Sequence, residues 1–175
     1  PRRQKLCVIN LQHLSDETPD GLRKAFIECA AVETFFLWHK YKKDNKSDVN
    51  LQNKLERGII PEGFKRQMFY TFGDFRDICL DTDISKKQGP VNDAKNKIDK
   101  IFPTTEPENK TKRQKWWDEH KEAIWEGMLC ALSLIIRKKG MDHDVRDKLT
   151  GSKSNYNTIK DDLADFATRP QFLRW

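Results

Sequence analysis

The side chains best placed to do chemistry in this sequence are cations gathered in short runs. Arg2, Arg3 and Lys5 form one run, Lys110, Lys112, Arg113 and Lys115 a second, and Arg137, Lys138 and Lys139 a third. Arg2-Arg3-Lys5 and Lys112-Arg113-Lys115 are each interrupted by a single neutral residue, a spacing that suits sulfated polysaccharide, where counterion release drives binding as it does on phosphate. Cations at a helix C-terminus are accounted for by the macrodipole, which explains the third run. Lys112, Arg113 and Lys115 fall where a long helix is expected to begin, and there the dipole disfavours them. Free backbone N–H groups at a helix start also attract anions, so this run is the candidate ligand site. The competing reading pairs Lys115 and its neighbours with Glu119 and other acids along the helix, at about 0.2–0.5 kcal/mol each.

Other chemistries find little support. The string Asp81-Thr82-Asp83-Ile84-Ser85 alternates like a calcium loop, but Lys86 stands where such a loop turns on glycine and Asn92 where it needs glutamate. Asp142, His143 and Asp144 offer too few convergent ligands for a metal. His13, His39, His120 and His143 are scattered, and no serine or cysteine lies in a nucleophile motif, so neither an enzyme nor a cofactor is expected. Cys7, Cys29, Cys79 and Cys130 are widely spaced without a CxxC pair, which argues against zinc. They fit buried thiols or long-range disulfides, and three complete pairings are open.

The elements that must position these groups are helical. Gly21 to Lys43 carries Leu22, Phe26, Cys29, Ala30, Phe36 and Leu37 at helical spacing, with Val32 widening the stripe. Pro61 to Leu80 offers the matching surface through Phe64, Met68, Phe69, Phe72, Phe75 and Ile78. The two are expected to pack at the centre of an all-α helical bundle with long irregular loops. Ser15, Asp16 and Thr18 are capping types ahead of the first helix, and Pro19 suits its first turn. A short helix over 92–102 stops before Pro103, and the last long helix runs from near Lys112 to Gly140. Within it Trp117, Ile124, Met128, Leu132 and Ile135 repeat at helical intervals. The polar stretch after Gly140 reads as a surface connection, and apolar periodicity returns near the end. Of the aromatic residues, Phe35 or Phe36, Trp38, Phe69, Phe72, Trp117 and Trp125 are expected to be buried.

One carboxylate interrupts the first stripe. Glu33 needs a partner if it is buried, and Arg76 is the nearest candidate in the facing helix, with Asp74 or Asp77 completing a network; at the stripe edge Glu33 would instead reach solvent. The net charge of +6 favours anionic partners. Nucleic acid is not expected, since no reading helix or aromatic platform accompanies the basic runs. No apolar run approaches the ~18 residues of a membrane span, and Met128 to Ile136 reads as buried helix.

Five strings in order, RRQKLC (2–7), FIECAAVETFFLWHKYK (26–42), IPEGFKRQMFYTFGDFRDICL (60–80), KWWDEHKEAIWEGMLCAL (115–132) and RPQFLRW (169–175), resemble the Duffy-binding-like domains of the Plasmodium falciparum erythrocyte membrane protein 1 family. The resemblance implies an adhesion module of three subdomains, with residues 1–17 ending the first, 18–160 forming the helical second and 161–175 starting the third. It implies exposure on infected red cells as part of a membrane-anchored antigen, contact with the antigen's other domains, and an oxidising compartment. Cys7 corresponds to a cysteine that pairs upstream, leaving Cys29 or Cys79 as mates for Cys130. The expected partner is a host cell-surface receptor: a protein such as an intercellular adhesion molecule, or a sulfated glycosaminoglycan. A structural spacer with no receptor of its own is the alternative. Loops 44–53, 81–92, 103–111 and 141–160 are where specificity should vary, and two of them carry the sequons Asn45-Lys46-Ser47 and Asn109-Lys110-Thr111.

Overall fold

A computed structural model describes residues 5–82, 88–103, 105–134, 142–151, 153–170 and 173–174. Their regular elements are all helices: α1 (Ile9–Gln12), α2 (Pro19–Asp44), α3 (Leu51–Glu56), α4 (Glu62–Leu80), α5 (Pro90–Ile101), α6 (Glu108–Leu134), α7 (His143–Thr150) and α8 (Tyr156–Thr168). The fold is all-α.

Each boundary has a local cause. Thr18 Oγ1 accepts from Gly21 N at 3.1 Å and Pro19 occupies the first turn of α2, where its missing N–H costs nothing. α4 ends at Asp81, which takes the left-handed conformation at φ 56°. Asp142 and Asn155 accept from Val145 N and Thr158 N, at 3.2 and 2.8 Å, and so start α7 and α8. The stretch 140–158 was expected to be a surface connection; it instead contains α7 and the start of α8, and α8 continues into the segment where apolar periodicity returns. Val145 and Leu149 on α7, and Ile159, Leu163 and Ala167 on α8, are buried at helical spacing. Two or three residues suffice to anchor so short an amphipathic helix, and polar neighbours mask them in the sequence.

α2 and α6 form the central pair and run parallel. Trp116 Nε1 donates to Pro19 O at 3.2 Å near their N-terminal ends, and further along Gly127 of α6 lies against Ile27 of α2. A Cβ at Gly127 would stand 2.8 Å from Ile27 Cγ2, so the glycine sets the distance of approach. α4 crosses antiparallel to both: Phe26 meets Phe75 edge-on at 6.1 Å, Trp38 meets Phe64 at 5.0 Å, and Phe72 touches Trp117 and Trp125. Such edge-to-face pairs add about 0.5–1.5 kcal/mol each beyond area burial. From Thr71 to Cys79 only Arg76 escapes full burial, because α4 is also covered by α5 and α8.

Trp38, Phe72, Trp117 and Trp125 are buried as expected, and Phe69 packs against the core. Phe36 is not buried; it is 62% exposed, with Phe35 half-buried beside it. The buried stripe of α2 drifts round the helix toward α4 in its last turns, where Trp38 and Tyr41 meet Phe64, and this leaves Phe36 on the outer side.

Candidate functional site

The second basic run does not act as one patch. α6 begins at Glu108, a turn earlier than expected, so Lys112 and Arg113 lie in its second turn. Arg113 is buried at 2% exposure. One Nη donates to Cys79 O at 3.2 Å; the other reaches Asp99 Oδ1 at 2.6 Å and Phe102 O. Cys79 belongs to the last turn of α4 and Phe102 caps α5, so this guanidinium satisfies the carbonyl ends of two helices, where cations are favoured. The macrodipole argument fails for Arg113 because the dipoles that matter belong to neighbouring helices. Lys110, Lys112 and Lys115 remain exposed, and Lys115 Nζ lies 3.9 Å from Glu119. Lys5 is exposed too; Arg2, Arg3 and the run 137–139 lie outside the described residues, as does most of the rejected calcium string.

Glu33 and Arg76 do not meet. Glu33 accepts from Cys7 N at 2.9 Å, on the α1 side of α2. Arg76 lies half-buried on the far side of α4, 3.5 Å from Ala167 O. Burial pushes its guanidinium below its ordinary pKa, an effect opposed by Asp77 and reinforced by Arg174. The buried pair in this fold is Asp77 with Arg174: Nη1 to Oδ2 is 2.8 Å and Nη2 to Oδ1 is 3.3 Å, with Nη2 also donating to Ala167 O. Tyr70 O–H donates to Arg174 O, and Gly73 lies beneath the guanidinium, where a Cβ would come within 3.0 Å of Nη1. A glycine inside a helix and an aspartate amid aromatics are the signals in the sequence. They point to a close-lying cation without saying that it comes from position 174.

Among the described residues all four cysteines are free thiols. Burial pushes Cys29 and Cys79 up to about 12, so neither is a nucleophile at neutral pH. Cys79 cannot reach Cys130: its carbonyl touches Arg113, and Cys130 lies about 25 Å further along the same helix, whereas a disulfide needs Cα atoms within ~7 Å. Asp142, of the rejected metal string, serves as the α7 cap. Of the two sequons, Asn109 is buried and donates to Pro103 O at 2.6 Å, while Asn45 is half-buried at the end of α2.

What the fold does assemble is a cleft between the C-terminal half of α4 and the first half of α6, about 670 Å³ in volume. Leu80 and the stems of Arg76, Lys110 and Lys115 give it a largely apolar lining, with Thr82 and Thr111 at its edge. Asp118 and Glu119 also line it. Arg76 and Lys110 have no carboxylate within ion-pair distance among the described residues, whereas Lys121 is 3.1 Å from Asp118. Two cations from the expected set, Lys110 and Lys115, thus share a cleft with Arg76, the expected partner of Glu33.

Comparison with known proteins bears on what such a surface serves. The chain is 27% identical over 136 residues to the Duffy receptor of Plasmodium vivax, and 27% identical over 149 residues to the Duffy receptor alpha form of Plasmodium knowlesi. These alignments cover 78% and 79% of the chain but 12% of each relative. The beta form from Plasmodium knowlesi is 25% identical over 185 residues, covering 99% of the chain and 13% of that protein. The chain therefore spans about an eighth of the length of these curated relatives. The sequence model of the Duffy binding domain matches residues 1–174, essentially end to end, and the chain belongs to that family.

Proposed function

We propose that this chain is part of an adhesion module with which a malaria parasite protein holds a host cell-surface receptor. The observation that carries the reading is the match to the Duffy binding domain along residues 1–174, together with relatives named as Duffy receptors. The five strings that resemble the erythrocyte membrane protein 1 domains favour display on the infected red cell, as one domain of a larger anchored antigen. A protein receptor is favoured over a sulfated glycosaminoglycan. With Arg113 withdrawn into the core and Lys115 beside Glu119, the second basic run offers too little free positive charge for a polyanion.

The test is a panel of immobilised host surface proteins and glycosaminoglycans, probed with this chain and with a longer version carrying the flanking subdomains. Saturable binding of both to one protein of the panel, persisting at 0.3 M salt, is the expected result. Binding confined to heparin, and lost steeply with salt, would replace the protein receptor by a glycan. If neither version binds any member, the spacer reading takes over.

A further inference from the structure

We propose that the cleft between α4 and α6 receives an acidic side chain flanked by apolar residues from a protein partner, Arg76 and Lys110 taking the carboxylate and Leu80 its apolar neighbour. The inference rests on the adhesion reading and assigns it a subsite.

Charge selects the place. The other cations around the cleft are matched at close range: Arg113 by Asp99 at 2.6 Å, Lys121 by Asp118 at 3.1 Å and Lys115 by Glu119 at 3.9 Å. Arg76 and Lys110 are left over, and Arg76 is half-buried with only the Ala167 carbonyl at 3.5 Å. Asp77 and Asp118 oppose the effect of its burial without pairing with it, so this guanidinium has lost part of its water with no carboxylate at ion-pair distance among the described residues, a cost that an incoming carboxylate recovers. Its planar fork matches a carboxylate bidentately, whereas Lys110, on an exposed stem, follows the ligand.

Shape and lining select the chemistry. A volume of about 670 Å³ lies within the range of ligand pockets. The apolar lining around Leu80 offers nothing to a sugar hydroxyl but covers an aliphatic or aromatic side chain. Asp118 and Glu119 also line the cleft, so a chain bearing sulfates in succession would bring a further charge against carboxylates. A peptide presents one acid between neutral neighbours and meets the carboxylates with N–H groups.

The test records amide spectra of the 175-residue chain during titration with terminally blocked Gly-Leu-Glu-Leu-Gly, its Gln counterpart, and a heparin-derived hexasaccharide. The glutamate peptide is expected to shift the amides of Leu80, Thr82, Thr111 and Gln114, binding about tenfold more tightly than the glutamine peptide. Arg76→Gln should remove most of that difference, and Lys110→Gln, at an exposed position, the remainder without changing the rest of the spectrum. Equal binding of the two peptides, shifts located elsewhere, no shifts at all, or occupation of the cleft by the hexasaccharide at lower concentration would each overturn the proposal. The receptor panel separates the two levels. A receptor that binds wild type and both variants equally discards the cleft and keeps the adhesion reading. A panel without any binder discards the adhesion reading whatever the peptides do.

Discussion

At the scale of single residues, two arginines do structural work that their sequence positions conceal. Arg113 sits among lysines in a run that looks like a surface patch, yet it is buried and bonded to Asp99 and to the carbonyls of Cys79 and Phe102. Arg113→Ala leaves two buried carbonyls without this donor and Asp99 with Lys95 alone, and should cost about 3–5 kcal/mol, read as a fall in the urea midpoint. Lys112→Ala should stay within about 0.5 kcal/mol of wild type. Equal effects of the two would return Arg113 to the surface. An alanine triple variant of Lys112, Arg113 and Lys115 therefore reports unfolding before it reports any loss of anion binding. The cation run was legible in the sequence, but the partition of its members was not, because the acceptors of Arg113 lie 11, 14 and 34 residues away in the chain.

Helices set the next scale, and here reading and structure agree where the signal was strong. Thr18 with Pro19, and the aromatic ladder from Phe64 to Ile78, placed α2 and α4 within a residue or two. α7 and the first turn of α8 do not stand out in the sequence because Val145 with Leu149, and Ile159, are diluted among charged residues, while their caps look like ordinary loop polar residues; the rest of α8 falls where apolar periodicity returns. Gly127 carries the test at this scale. Helix propensity alone says that Gly127→Ala should stabilise α6 by up to about 1 kcal/mol. The 2.8 Å approach to Ile27 Cγ2, on a β-branched side chain with little freedom, says the opposite. Gly127→Ala is expected to destabilise by about 1–3 kcal/mol, and in an Ile27→Ala background the same change should become neutral or favourable. A stabilising single change would show that α2 and α6 are not in close contact there.

Across the whole molecule, acid should weaken the fold steadily. Burial raises the pKa of Asp99, but hydrogen bonds from Lys95 and Arg113 outweigh it, leaving the group below its ordinary 3.8. Glu17 is lowered by Lys100 and Lys97, and Asp48 by Lys54 and the Asn50 N–H. His120 is lowered by burial and then by Arg23, so the folded chain binds its proton less readily than the unfolded chain does. For all four the unfolded state holds more protons as pH falls, first near pH 6.5 through His120 and then below about 4.5 through the carboxylates. A chain already at +6 gains further positive charge over the same range. The urea midpoint should therefore decline without a maximum from pH 7 to pH 3; a midpoint that rises anywhere in that interval would refute the assignment.

The Asp77 and Arg174 pair has a mechanical meaning as well. Arg174 lies beyond α8, yet its guanidinium is bonded to the middle of α4, above Gly73. Tension entering the chain past Arg174 is thus delivered first to a bidentate ion pair in the protein interior, and the Tyr70 hydroxyl shares the pull. A pull on the chain at Arg174 would strain this fastening before any helix is peeled away, with the load carried by the helix that lines the cleft.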